Sequence, residues 1–474
     1  MLQRLWRSDA ALFGVVTALL IAPVLVFRDA PLYDLPNHLA RLEVMFGGGA
    51  PGASQYYTAE WRLIPNLAIE GWVAVFRHVV PVAWAARIFL AATVVLMFWG
   101  AVALNRALFG RKSCFALVAA LFAYNGPFLF GFVNLCFGLG LALLAVAAWM
   151  KWRERLWALP VFAALSCLIL LAHLFAFAVY ALVLAAFELG QLRHGLRHLR
   201  RDLVALLHLL IPAALYVLCM PRGIVVGDIS YASWPHKLAE LSGVIGFSNP
   251  VFDMLSLLAL FLWLALGWRR IRLARGMALP LAALAFAFVL LPHGWGSATF
   301  VDYRVPATLA LFLAASLAGR ESEGRRNPGG IVVFAFFLFR LSVMGWQWQS
   351  WQADFAEYRA AFVLLPQGAK LLPLSRDPSA VNLNEHPPLG HIAGLAVSER
   401  GALIPDLFAG LPHELLAYRP AYAGIATEMP SAALAPAFDY VLLIRPEQIP
   451  AAAIPPYEEL ARGRTFVLGK LTKH

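Results

Sequence analysis

Long apolar runs divided by short clusters of charge set the pattern of this 474-residue chain. A helix crossing ~30 Å of hydrocarbon needs about 20 apolar residues, with ~17 as a lower bound. The first run is 10–27, preceded by Arg4 and Arg7; no small-x-small cleavage pattern follows, so it is expected to stay as the first helix. Residues 28–66 are polar. Residues 67–80 are amphipathic, carry Glu70, Arg77 and His78, and are expected at the outer interface rather than across the membrane. A span follows at 88–104. The stretch 114–150 holds 37 residues without a formal charge, too long for one crossing and suited to a tight hairpin turning between Asn125 and Asn134. Residues 156–187 repeat that design around His173. Single spans are predicted at 203–220, 254–268, 277–292, 305–318 and 331–346.

The pattern predicts eleven crossings, and the distribution of cations orients them. With the N-terminus inside, the inner segments hold 19 Lys and Arg in 57 residues, whereas the outer segments 28–87, 221–252 and 293–304 hold 8 in 104. An odd count then puts the C-terminus outside. From about Gln347 the chain changes character over its last 128 residues: charge returns, Pro is frequent, and β-type runs appear at 369–372, 440–444 and 465–468. Tyr457-Glu458-Glu459-Leu460 looks helical. The expected architecture is an all-α polytopic membrane protein of about eleven transmembrane helices (1–346, with a large first outer loop 28–87) and a small extracytoplasmic α/β domain at 347–474.

Composition sharpens this. Apolar residues make up 61% of the chain and charged residues 14%, too few to cover a water-soluble surface. An ordinary cytosolic enzyme and a disordered chain are both excluded. The net charge of +11 resides in clusters between apolar runs, which is membrane topology rather than a nucleic-acid footprint. The run 193–201, with six Arg or His around Gly195, is read as an anchor for anionic headgroups. Cys114, Cys136, Cys167 and Cys219 lie in apolar runs without metal-ligand spacing and read as small buried residues.

Candidate chemistry gathers in the first outer loop, Pro31-Leu32-Tyr33-Asp34-Leu35-Pro36-Asn37-His38-Leu39-Ala40-Arg41-Leu42. Leu35, Leu39, Leu42 and Phe46 recur at helical spacing, so the segment is expected to lie flat with one apolar face. Asp34 precedes it. One reading makes Asp34 the helix N-cap, with His38 hydrogen-bonded to it. The other makes Asp34 a general base that takes a proton from an acceptor hydroxyl, with His38 orienting the acceptor or ligating a metal beside Asp34. Two ligands alone do not make a metal site.

The chain resembles the membrane-embedded glycosyltransferases of the GT-C class, among them the aminoarabinose-to-lipid-A and protein O-mannosyl transferases. The residues that carry the resemblance are Asp34 through Arg41, the stretch from Pro65-Asn66-Leu67 to Trp84-Ala85-Ala86-Arg87, Asn105 through Gly110, and Asp302-Tyr303-Arg304-Val305-Pro306 opening a late helix. The layout also fits, with a large first outer loop and a C-terminal outer domain. Leu35 stands where a Glu often follows the catalytic Asp, and Asn66 replaces a more usual Pro. The resemblance implies a polyprenyl-phosphate-linked sugar as donor and transfer on the outer face, with a lipid, glycan or protein hydroxyl expected as acceptor; few cysteines and an Ala-, Leu- and Arg-rich composition point to a bacterial inner membrane.

A phosphate leaving group needs cationic or hydrogen-bonding partners where charge develops. Arg304, Arg340 and Arg87 are the candidate cations, and Asn37 joins them as a substrate-binding candidate. Arg340 sits at membrane depth, where a charge faces a cavity, meets a partner, or snorkels outward; Arg304 has pairing with Asp302 as its alternative role. Gly47-Gly48-Gly49 lacks the strand and helix of a phosphate-cradling loop and reads as a hinge. His173, Asn125 and Asn134 are read as hairpin residues. Asp228, His236 and Asp253 are suited to sugar or metal, although loop polarity explains them too. Glu385, His386 and His391 are separated by prolines that argue against a metal site. No resident cofactor is expected, and a divalent cation is compatible with the chemistry. The competing functions are a lipid or lipid-sugar flippase, which would carry charges along several spans, and a non-catalytic membrane scaffold.

Overall fold

The computed structural model describes residues 9–48, 52–110, 114–155, 157–191, 206–219, 228–246, 249–296, 298–320, 328–376, 388–410, 414–427 and 429–472. Arg4, Arg7, Gly49, the basic run 193–201, Glu385 and His386 lie outside the described residues. The chain divides into two compact units, one of Met1–Pro23, Leu63–Ala68 and Leu90–Met344, the other of Val24–Arg62, Ile69–Phe89 and Gly345–His474.

The first unit is built of apolar helices. Four helices among the described residues are long and apolar enough to cross a membrane, at Val82–Phe109, Val133–Trp152, Val251–Arg270 and Gly329–Phe362, and seven shorter apolar ones accompany them. Helix Pro250–Gly267 turns Leu258, Phe261, Leu262 and Leu266 outward. Such side chains suit lipid as their solvent, because a helix satisfies its backbone internally and needs nothing from water. Helix Val133–Trp152 packs on Leu174–Gln191. Small residues permit the closest approach: a Cβ on Gly100 would lie 2.8 Å from the Gly140 carbonyl oxygen.

Both expected hairpin turns are present. Asn125 caps the short helix Gly126–Phe130 by accepting the Phe128 N–H at 3.0 Å, and its amide donates to the Phe122 carbonyl at 2.9 Å. Asn134 donates to both the backbone and side-chain oxygens of Asn66, each at 3.0 Å. At His173 the chain turns extended (φ −168°, ψ 131°) between helices Ala158–Ala172 and Leu174–Gln191, and His173 Nδ1 accepts the Phe175 N–H at 3.1 Å.

The second unit has a core around a four-stranded sheet ordered Leu371–Leu374, Tyr440–Ile444, Phe466–Leu471, Tyr457–Arg462; the first pair is parallel and the others antiparallel. Three of these strands were expected from their β-type runs. The fourth corrects the helical expectation at 457–460: Tyr457–Arg462 is an edge strand. Glu and Leu favour a helix locally, but pairing with Phe466–Leu471 overrides that preference, and the Tyr457 ring fills the space a Cβ on Gly469 would occupy. The helix expected at 331–346 runs on from Pro328 to Phe362. Past Gln347 its hydropathy falls but its periodicity persists, placing Phe355, Tyr358 and Phe362 in the sheet's core. Helix Gly394–Arg400 packs on helix Leu35–Phe46 of the first outer loop. Contact is intimate enough that a Cβ on Gly394 would lie 2.6 Å from the Pro36 carbonyl oxygen.

Candidate functional site

Within the second unit, helix Leu35–Phe46 buries Leu35, Pro36, Asn37, His38, Ala40, Arg41 and Leu42. Asp34 does not cap it, which corrects the capping expectation. Its backbone is already helical (φ −87°, ψ −8°) rather than extended, and its side chain makes no capping hydrogen bond. Pro36, in the first turn, has no N–H to offer. The Asp34 carboxylate, 6% exposed, instead faces His391, with Oδ1 3.5 Å from Nε2. The other His391 nitrogen, Nδ1, lies 3.6 Å from Asp406 Oδ2. One imidazole therefore stands between two carboxylates. Asn37 Nδ2 donates to the Asp406 carbonyl at 2.8 Å, tying helix and loop together.

Aromatic rings frame these groups. Phe408 stands edge-on to both His38 (5.2 Å between ring centroids) and His391 (5.4 Å), and Tyr33 is edge-on to His391 at 5.0 Å. Burial, followed by the charges of Asp34 and Asp406, pushes the Tyr33 phenol far above its ordinary value, so it stays a neutral donor.

One turn along the helix from His38, Arg41 is clamped by two carboxylates. It bonds Glu70 and, at 2.5 Å, Glu414. Arg41 is 3% exposed and Glu70 1%. Burial opposes the charged guanidinium, but Glu70 and Glu414 outweigh it and hold Arg41 above its ordinary pKa. His38 Nδ1 lies 3.3 Å from Arg41 Nη2. Facing a cation, that nitrogen serves as the acceptor. Asp34, Asn37 and His38 are thus brought into one cluster together with Tyr33, Arg41, Glu70, His391, Asp406, Phe408 and Glu414. Glu70 packs inward rather than lying on a wet interfacial face.

The candidate cations occupy other places. Arg87 belongs to the same unit, donates to the carbonyls of Phe27 (2.9 Å) and Arg28, and stacks on Trp84. Arg304 and Arg340 belong to the first unit and have different partners. Arg304, half-buried, donates to the Thr299 carbonyl at 3.0 Å and lies over the Phe132 ring. Arg340 is buried and neither snorkels nor faces open space: it pairs with Asp253 at 3.0 Å, donates to the Ile245 carbonyl, and lies over Phe252.

Asp302 is engaged by Lys237 (2.9 Å) and by His293 (3.0 Å). Lys237 completes its shell with the carbonyls of Phe288 and Leu291. Hydrogen bonds to Asp302 and then Glu240 push the His293 imidazole up to about 9 against its burial. Burial would raise Asp302, yet His293 and Lys237 hold it below the ordinary carboxylate value.

No protein-family model and no curated protein sequence matches the chain. Among solved structures it is similar to ArnT from Cupriavidus metallidurans, bound in that crystal structure to undecaprenyl phosphate, with TM-score 0.56, 12% identity and 97% of each chain covered. Arabinofuranosyltransferase AftD from Mycobacteria is similar with TM-score 0.48 and 14% identity, over 98% of this chain and 40% of that one. The likeness to ArnT establishes a GT-C-like membrane-protein fold along nearly the whole chain. At 12% identity it speaks for the fold and leaves the chemistry to the residues.

Proposed function

We propose that this protein is an integral membrane glycosyltransferase that moves a sugar from a polyprenyl-phosphate donor to an acceptor hydroxyl on the outer face of the membrane. The observation that carries the reading is a carboxylate, Asp34, at the head of the first-loop helix of an ArnT-like fold, held beside an imidazole and ringed by aromatic side chains. Undecaprenyl phosphate bound to ArnT supports a lipid-linked donor. This reading takes the four long apolar helices and the seven shorter ones as its eleven crossings, and the cation asymmetry between the loops favours an inside N-terminus. In this reading, 1–346 is the membrane domain and 347–474 the outer domain, and helix Pro328–Phe362 runs continuously from one into the other.

In the proposed step the acceptor O–H gives its proton to Asp34 as its oxygen bonds to the sugar's anomeric carbon. The bond from that carbon to the donor phosphate breaks, and the phosphate oxygen leaves with the electron pair. His391 stands between Asp34 and Asp406 and sets the orientation of Asp34. His38, braced by Arg41, accepts from the acceptor or sugar hydroxyls. Acidic surroundings favour the positive charge that grows on the sugar ring as the phosphate departs. Access to Asp34 runs past the half-exposed rings of Tyr33, His391 and Phe408. Arg340 is already neutralised by Asp253, which argues against it as a phosphate partner.

The test is Asp34→Asn, which keeps the side chain's size, in a host that depends on the gene for an envelope glycan or glycolipid. Mass spectrometry of envelope lipids and glycans should show the product lost at normal protein level. An unchanged product removes Asp34 from the chemistry.

A further inference from the structure

A second polar cluster lies in the first unit, outside the site just described. His236 and Glu240 are four residues apart on helix Trp234–Glu240, so their side chains rise from the same face. The helix starts at Ser233, whose hydroxyl caps the His236 N–H. His293 arrives from the other direction. Its N–H donates to the Ser230 carbonyl at 2.8 Å and its carbonyl accepts from Val301 at 3.0 Å, which fixes the backbone that carries the ring. The three side chains converge: Glu240 Oε1 lies 3.5 Å from His236 Nε2 and 3.2 Å from His293 Nδ1. All three donor atoms lie within 4.8 Å of one another.

Two features set this apart from ordinary loop polarity. Glu240 is 1% exposed, and its second oxygen, Oε2, has no hydrogen-bond partner. His236 Nε2, aimed at Glu240, also lacks one. A buried carboxylate with unmade hydrogen bonds is costly. The separations supply the second argument. Four ligands around a tetrahedral zinc ion at ~2.05 Å stand about 3.4 Å apart. The two edges at Glu240, 3.2 and 3.5 Å, bracket that value. Asp302 Oδ1 lies 3.0 Å from His293 Nδ1 but outside the trio, so the fourth corner falls to water. Lys237 neutralises the neighbouring Asp302 at 2.9 Å, so Glu240 supplies the one negative charge of the donor set.

We propose that His236, Glu240 and His293 form a binding site for a divalent transition ion, with zinc best suited to this pair of imidazoles and single carboxylate. The ion clips helix Trp234–Glu240 to the loop 293–302 ahead of helix Arg304–Ala315, which carries Arg304. The proposal stands on this cluster alone and does not depend on the glycosyltransferase reading.

The experiment uses full-length, tag-free protein in detergent. Metal content is read by plasma mass spectrometry as purified. Zinc binding is then read by calorimetry after chelator treatment and dialysis. About one zinc per chain is expected for the wild type, with affinity at least tenfold weaker in Glu240→Gln and in His236→Asn/His293→Asn. Cobalt(II) added to stripped wild type is expected to give the intense visible absorption of a tetrahedral site, a readout that needs no variant to fold. No zinc uptake by the wild type, equal uptake by the variants, or a weak octahedral cobalt spectrum would overturn the assignment.

Discussion

Removing Arg41 should unlock the first-loop helix, because that guanidinium bridges Glu70 and Glu414. In Arg41→Met the stem volume remains and the charge goes. Two carboxylates then face each other, one of them on a residue 1% exposed. Breaking a buried pair by deleting one partner costs about 3–5 kcal/mol. Every ~1.4 kcal/mol is tenfold in an equilibrium, so helix Leu35–Phe46 should open roughly two to three and a half powers of ten more often. Amide hydrogen exchange in nanodiscs, followed on peptides from 35–46, reads that ratio directly. Peptides from the first unit, such as 133–152, should keep their wild-type protection. The triple variant Arg41→Met/Glu70→Gln/Glu414→Gln should recover most of the loss, since buried amides cost less than unpaired carboxylates. The reasoning fails if Arg41→Met leaves protection at 35–46 unchanged, or if the triple variant opens as readily as the single one.

Other positions give independent checks. Gly394→Ala would put a Cβ 2.6 Å from the Pro36 backbone oxygen and 2.8 Å from Asn37 Oδ1; overpacking of this kind costs about 1–3 kcal/mol and should lower the thermal midpoint. Gly345→Ala, where a Cβ meets nothing within 4 Å, should be neutral or slightly stabilising in the same melt. Arg340→Met takes the guanidinium away from the buried Asp253 carboxylate and should destabilise by about 3–5 kcal/mol, while Arg340→Met/Asp253→Leu should return most of it in chemical denaturation. Under the proposed function, His391→Gln should lower product formation about tenfold to a hundredfold at unchanged protein level; wild-type turnover in that variant would detach His391 from Asp34's work.

Much of the helical frame is readable along the chain because lipid-facing and core helices need unbroken apolar runs, and the interruptions at Asn125 and His173 are marked by residues that turn the chain. The strand Tyr440–Ile444 is equally plain in its β-branched and aromatic run. Local patterns mislead where a distant partner decides. Tyr457–Arg462 becomes a strand because Phe466–Leu471 lies beside it, and Pro328–Phe362 continues because the sheet accepts its later turns. The site divides the same way. Asp34, Asn37 and His38 stand together in one loop and can be picked out by residue type and spacing. Glu414 meets Arg41 across 373 positions, and Asp406 meets Asn37 across 369, so no window of sequence connects them. His391 draws notice for its spacing from His386, yet its partners are Asp34 and Asp406.

Whether a lipid-linked sugar reaches Asp34 is best settled by electron cryomicroscopy of the protein in nanodiscs supplied with undecaprenyl phosphate, comparing wild type with Asp34→Asn. Density for the isoprenoid tail should enter from the bilayer and end with its phosphate close to Asp34. A lipid phosphate seated elsewhere, with the pocket around Asp34, His38 and His391 closed and unchanged, would contradict a catalytic role for this carboxylate.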